Sequence, residues 1–288
     1  MASIKDLKKR ITSVKNTQQT TKAMKMVSAA KLKRAQDAIM SQRPYALEIA
    51  KLMNILSAQG AAESSKVRKP ISLLVVISGD RGLCGGYNSN VIRAATHFIT
   101  EKSAAGKPVK TVFVGKKAYE ILKNRMKLDL LHYEEFGQKI IFRKETELSK
   151  KILPLFESGE VDEVVFVYNE FINAITQVVQ TNTVLPLSLK HNTAQASVAS
   201  GGLKIYVPSA QELYTSLSAK YFVVQVFKAL LEAQASEHGA RMSSMESATK
   251  NAGDMIRKLT LAYNKQRQAS ITKELLEIIA GSESQKVN

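Results

Sequence analysis

SAQELYTSLSAKYFVVQVFKALLEAQASEHGARMSSMESATKNAGDMIRKLTLAYNKQRQASITKELLEI, residues 209–278, runs for seventy residues without a proline. Side chains suited to a helix seam recur at Leu217, Val224, Phe227, Leu231, then Met245, Ala248, Ala252, Met255, Leu259, Ala262, Ala269 and Leu276. That spacing predicts one long helix with a coiled-coil stripe. Gln234, His238 and Arg241 interrupt the stripe, and on such a helix Glu237-His238 reads as a solvated or interhelical polar position. Alanine at several seam positions lets a partner helix approach closely. Gly253 weakens the helix locally by about 1 kcal/mol.

Residues 4–59 read the same way. Their heptad positions are Ile4, Leu7, Ile11, Val14, Gln18, Thr21, Lys25, Ser28, Leu32, Ala35, Ile39, Ala46, Ile49, Met53 and Leu56. The seam is apolar at both ends and polar in the middle. Gly60 is a plausible stop. Pro44 removes a helix hydrogen bond at a cost of roughly 3 kcal/mol, so a kink or break is expected there.

The middle of the chain has another character. Leu73–Ile77 and Val109–Val114 read as strands, with a helical stretch from Asn88 between them and another over Tyr119–Asn124. Val164–Tyr168, Gln177–Leu185 and Leu203–Val207 read as further strands, and Ala194–Gly202 as a loop. The alternation predicts a partly parallel, Rossmann-like α/β domain. The expected division is 1–69 and 209–288 as helices, with 70–208 as the central domain.

Geometry then constrains the fold. Helices of 56 and 70 residues are roughly 80 and 105 Å long. A domain of about 140 residues is only about 40 Å across. Neither helix can lie wholly across it, so both are expected to protrude, antiparallel, as a two-stranded stalk. The expected fold class is therefore α/β plus a long antiparallel coiled coil. The longer C-terminal helix should extend past its partner by about 14 residues, or roughly 20 Å.

The chain has 42 Lys+Arg against 25 Asp+Glu, a net charge of +17. Most of the surplus lies in residues 1–69, and Asp6 is the lone acid before residue 35. An anionic partner is implied: nucleic acid, a membrane surface or acidic protein. A basic, acid-poor N-terminus also fits a transit peptide, but Lys dominates over Arg and the helical pattern continues past any cleavage site. No apolar run is long enough to span a membrane. A single cysteine, Cys84, excludes an internal disulfide framework and a four-cysteine zinc site. The absence of Trp argues against an aromatic platform for bases.

Gly79-Asp80-Arg81-Gly82-Leu83-Cys84-Gly85-Gly86 is the most enzyme-like feature. Backbone N–H groups in such a turn can cradle phosphate. The spacing is neither G-x-G-x-x-G nor a P-loop. The plainer reading is a tight strand-to-helix turn needing positive φ. His97, His132, His191 and His238 stand apart in sequence and form no metal-binding motif. Cys84 has no local triad signature and reads as a buried, idle thiol. No catalytic residue, metal ligand or cofactor site is expected. The aliphatics Ile271, Leu275, Leu276, Ile278 and Ile279 crowd the C-terminal helix end. On an unpaired helix they would face water, and an exposed apolar tip implies a partner that sheathes it.

Four segments then carry a resemblance that spans the chain. They are IKDLKKRITSVKNTQQTTKAMKMVSAAKLK (4–33), ISGDRGLCGGYNSN (77–90), EHGARMSSMESA (237–248) and YNKQRQASITKELLEIIAG (263–281). They resemble the γ subunit of F-type ATP synthases. Ile271, Thr272, Glu274, Glu277 and Gly281 fit the family's C-terminal signature. Ser282 departs from the usual alanine, at a point expected to lie past the helix end. The plant-type regulatory cysteine pair is absent, and the bacterial form is expected rather than the mitochondrial one.

The resemblance implies a non-catalytic rotor, one copy per complex. The stalk would enter a ring of three α and three β subunits, and the α/β domain would sit with the ε subunit on the c-ring. Proton flow would turn the shaft, and the shaft would drive the β subunits through states of different nucleotide affinity. No cofactor, nucleic acid or membrane span is implied, and the place is the cytoplasmic face of the cell membrane. Met24, Lys25, Arg267, Gln268 and Thr272 would meet β-subunit loops. Leu275, Leu276, Ile278 and Ile279 would run in a hydrophobic bearing. Tyr206 would lie near the foot. Two alternatives make different predictions. A basic coiled-coil nucleic-acid-binding protein would bind duplex DNA in a salt-sensitive way. A nucleotide-binding enzyme would be stabilised by its nucleotide.

Overall fold

The structure, a computed structural model, describes residues 3–57, 68–137, 142–186 and 209–286. The loop at 194–202, the strand at 203–207, His191, Tyr206 and Gly60 lie outside the described residues. Packing divides the chain into two units. One comprises residues 1–28 and 242–288, the other residues 29–241.

Helix α1 (Ile4–Leu56) begins with a reciprocal cap: the Asp6 N–H donates to Ser3 Oγ, and the Ser3 N–H donates to Asp6 Oδ2. That satisfies two donors that the first turn would otherwise orphan. Of the kink or break expected at Pro44, the helix shows no break and continues as one element. Ile49, Met53 and Leu56 beyond the proline are buried, and their packing offsets the lost hydrogen bond. The predicted heptad holds along its whole length: none of its fifteen positions is exposed.

The 29–241 unit is built on a sheet of order β3-β2-β1-β4-β5. The strands are β1 (Ser72–Ile77), β2 (Val109–Val114), β3 (Asp129–Glu134), β4 (Glu163–Phe171) and β5 (Gln177–Leu185). The β1–β2, β2–β3 and β1–β4 pairs are parallel, and β4–β5 is an antiparallel hairpin. Helices α2 (Tyr87–Ala104), α3 (Lys116–Arg125) and α4 (Phe142–Glu157) make the crossovers.

Successive strand side chains point to opposite faces, so each face has its own core. Leu74, Val76, Phe113, Val165 and Val167 meet Val91, Ala95 and Ile99 of α2 and Leu122 of α3. On the other face Leu73, Val75, Ile77, Val112 and Phe166 meet Leu148 and Ile152 of α4. They also meet Phe222, Val226, Leu230 and Ala233 of α5 (Ala210–Lys286). Coverage on both faces explains why β1 reads as an uninterrupted apolar run.

Both terminal helices were expected to protrude, with the α/β domain ending at residue 208; α5 also packs on the sheet beyond that point. The first eight turns or so of α5 are a layer of the α/β unit. Phe222, Val226 and Leu230 recur every four residues, and that spacing on a helix lays one face on a sheet. β3 and α4 were not anticipated. β3 is a half-exposed edge strand without strong alternation, and Pro154 inside α4 obscures its helical pattern.

In the 1–28 and 242–288 unit α1 and α5 run antiparallel. Lys25 lies against Glu246, Thr21 against Thr249, and Gln18 against Thr249 and Gly253. The α5 seam departs from prediction beyond Ala252. Met255 and Ala262 are exposed, while Ile256 and Tyr263 are partly buried. Leu259 is partly buried as predicted, so only alternate seam positions move by one residue, beginning at Thr249, whose hydroxyl donates to Thr21 Oγ1 at 2.8 Å. The helix also continues through Gly281 and Ser282 to Lys286, past the expected end. No helix among the described residues is long and apolar enough to cross a membrane.

Candidate functional site

The one-for-one step carried from Gln18 back to Ile4 moves the opposing position on α5 from Gly253 forward to Arg267. Residues after Arg267 therefore have no α1 partner. Ile271, Leu275, Leu276, Ile278 and Ile279 are each between 49% and 67% exposed, as the sequence led one to expect. Burying five such side chains would be worth several kcal/mol, at roughly 25 cal/mol per Å². Arg267, Gln268 and Thr272 are exposed, and the Thr272 hydroxyl donates to the Gln268 carbonyl at 3.0 Å. Gln268 and Thr272 therefore share one face.

On α1, Met24 is partly buried, and Lys25 Nζ donates to Glu246 Oε1 at 2.6 Å. That exposed pair is worth under about 1 kcal/mol and leaves Lys25 free to exchange partners. Sequence reading passed over Met26 and Val27, which are 59% and 57% exposed on the same turn. The signal was available: both fall outside the heptad seam.

The glycine-rich segment follows β1 and behaves as a structural turn. Leu83 and Gly85 adopt φ of 63° and 56°. Asp80 accepts hydrogen bonds from the backbone N–H groups of Lys116, Phe136 and Gly137 at 3.1, 3.0 and 2.9 Å. Asn88 Oδ1 accepts from the Gly79 N–H at 2.9 Å. Cys84 is buried beside Asn88, and burial raises its pKa, which keeps it a thiol.

In an open α/β sheet, ligands bind outside the carboxyl ends of the strands, where strand order reverses. Here that point lies between β1 and β4. The chain's own α5 occupies it, and Glu237-His238, expected as a solvated or interhelical polar position, is buried rather than solvated. Glu237 packs so close to Gly79 that a Cβ built there would lie 3.0 Å from Glu237 Cδ. Arg241 donates to Glu237 Oε1 at 2.5 Å and to the Gly82 carbonyl at 3.3 Å. The Tyr87 hydroxyl donates to the Ala233 carbonyl, and Ser236 Oγ to the Asn169 carbonyl. A carboxylate thus stands where a phosphate would sit.

Burial raises the Glu237 pKa in spite of Arg241. Burial, with Arg241 and Lys31 nearby, pushes His238 down to about 4. His238 therefore binds its proton less tightly folded than unfolded. Between about pH 6.5 and 4 the unfolded state gains protons first, so acid erodes stability through this group. Glu237 acts in the opposite direction, so the comparison must isolate the histidine. Relative to His238→Gln, the wild type should lose up to about 3 kcal/mol between pH 7 and 4. Parallel urea titrations of the two chains check this. Equal pH slopes would contradict it.

These features define a class: a chain with a paired-helix unit and an α/β unit whose ligand crevice is filled from within. The family described as ATP synthase matches residues 3–284. The protein of Geobacter metallireducens named ATP synthase gamma chain is 46% identical over 290 residues, covering 99% of this chain and 100% of that one. That of Sinorhizobium fredii is 46% identical over 297 residues, with the same coverage. A solved chain from the central stalk and c-ring of the Tetrahymena thermophila mitochondrial ATP synthase matches with TM-score 0.63 and 26% identity, over 80% of this chain and 99% of that one. A chain from the Euglena gracilis mitochondrial enzyme matches in fold, with TM-score 0.67 and 21% identity, over 98% of this chain and 94% of that one. The chain belongs to the ATP synthase gamma chain family.

Proposed function

We propose that the chain is the central shaft of an ATP synthase, a rotor that itself catalyses nothing. It couples ion flow through the c-ring to synthesis or hydrolysis of ATP at the β subunits. Its partners are three α and three β subunits, the ε subunit and the c-ring. It is peripheral to the membrane, on the cytoplasmic side. The observation that carries this reading is the unpaired apolar end of α5. An exposed aliphatic tip on a charged helix needs a sleeve, and a ring of subunits supplies one.

Leu275, Leu276, Ile278 and Ile279 form the part turning in that sleeve. Met24, Lys25, Arg267, Gln268 and Thr272 meet β-subunit loops, and Tyr206 lies toward the foot. A shaft shifts a conformational equilibrium only through contacts that differ between the states. Polar side chains on an exposed helix face supply such contacts as they turn past successive subunits. The basic surplus of the chain suits acidic loops on the surrounding ring.

Replacing Arg267 and Gln268 together with alanine should lower ATP synthesis several-fold while the complex still assembles. Synthesis rates and subunit stoichiometry of the purified complex test this. Unchanged turnover in assembled complex removes both residues from the coupling contacts. Failure of the wild-type chain to copurify with α and β subunits removes the shaft reading itself.

A further inference from the structure

Rotation of the α/β unit is useful only if it turns α5 with it. That helix is the element the 29–241 unit shares with the 242–288 segment, and Arg241 is the last residue of α5 in the α/β unit. Lower down, the contact between α5 and the sheet is apolar: Phe222, Val226, Leu230 and Ala233 against strand side chains. Apolar packing is non-directional, so it holds a helix against a sheet without strongly fixing its rotation about its own axis. Near its end in this unit, α5 instead carries directed contacts to two different parts of the sheet. On one side Arg241 bridges Glu237 and the Gly82 carbonyl of the turn after β1. On the other, Ser236 Oγ donates to Asn169 of β4.

The Gly82 turn is itself anchored. Asp80, two residues before it, holds three backbone N–H groups. The side chains of Glu237 and Arg241 are only 9% and 11% exposed, which shields their contact from water and salt.

Resting on the shaft reading above, we propose that the Glu237–Arg241–Gly82 bridge is the grip through which the α/β unit turns α5. Glu237 and Arg241 are then positioning residues for energy coupling. They touch neither nucleotide nor transported ion, and they fix the helix's rotational setting at the point where it leaves the sheet. Without them, the last directed contact holding α5 in this unit is Ser236 on Asn169, and the helix is freer to twist beyond it. Part of each rotational step is then absorbed as twist.

The test uses the complete membrane-bound complex carrying Glu237→Met with Arg241→Met. Two apolar side chains of similar size replace a buried ion pair without leaving a lone charge, so folding should survive. The expected result is a thermal midpoint and an α and β content like wild type, with ATP-driven ion pumping per ATP hydrolysed at least three-fold lower. Glu237→Gln keeps an oxygen acceptor for Arg241 and should pump within two-fold of wild type. A merely structural role would not separate these two variants. Equal pumping ratios in wild type and the double-methionine variant overturn the proposal, as does equal loss in Glu237→Gln and the double variant. Loss of α and β subunits from the wild-type complex would instead overturn the shaft reading on which the proposal rests.

Discussion

Gly115→Ala is expected to cost the α/β unit about 4 kcal/mol of stability at neutral pH and room temperature. Gly115 follows β2 with φ of 102°, a conformation that L side chains rarely adopt. A Cβ built there would lie 1.9 Å from the Ser78 carbonyl oxygen and 2.6 Å from its carbon. Both are backbone atoms at the end of β1, so no rotamer change relieves the clash. The surroundings are fixed as well: the Ser78 N–H donates to Val114, and the Gly115 N–H to Glu134. Strain of about 1–3 kcal/mol adds to an overpacking cost of similar size. A total near 4 kcal/mol is a large share of the roughly 5–15 kcal/mol that holds a domain folded. Gly106→Ala is the control. Its φ is 71°, but nothing lies within 4 Å of the new methyl, so about 1 kcal/mol is expected. Urea midpoints of the two variants decide the matter. Similar midpoints would show that the close approach to Ser78 relaxes.

Asp80→Ala should cost about 3 kcal/mol. One carboxylate serves the first turn of α3 and the segment after β3, with three backbone donors on two oxygens. Hydrogen bonds to a charged acceptor contribute about 1.5–3 kcal/mol each. The Lys116 and Gly137 donors regain water when the carboxylate is removed, so their loss is partly compensated. The Phe136 donor belongs to a buried residue and is not rescued in that way. The negative charge also lies at the N-terminus of α3, where the helix dipole favours it. Asp80→Asn keeps one oxygen and should lose about half as much. Hydrogen exchange at Phe136 gives the local readout. Protection there that is unchanged in Asp80→Ala would contradict the role assigned to the carboxylate.

How far the sequence discloses this fold depends on which residues face one another. The α1 seam is legible over fifteen positions, none of which is exposed, because its apolar and small residues keep one period. The α5 seam is legible to Ala252 and again at Leu259; Met255, Ala262 and Ala269 look like seam residues but are exposed, while Ile256 and Tyr263 are partly buried. Alanine fits either side of a helix pair and so carries little phase information. The tip was legible because its aliphatics exceed what a water-facing helix carries. The crevice was not. Glu237 and Arg241, four residues apart, have the spacing of an ordinary surface ion pair. Their burial follows from a long-range contact with the turn at Gly79. A hint was nonetheless present in Ala233, Ala235, Ser236, Gly239 and Ala240, a run of small side chains through which a helix can lie close against a sheet end.

The helix pair is joined in part through small side chains: Thr21 on one side, Thr249 and Gly253 on the other. Gly253 brings Gln18 Nε2 within 3.0 Å of where a Cβ would be. Such a seam lets the two helices approach closely. The pair is therefore a narrow axle. Any eccentricity that a surrounding sleeve can feel must come from side chains projecting outward. Met26, Val27, Met255 and Leu261 are the exposed apolar examples. The axle's cam profile is thus set by residues that contribute little to holding it together, and it can be reshaped with little effect on the fold.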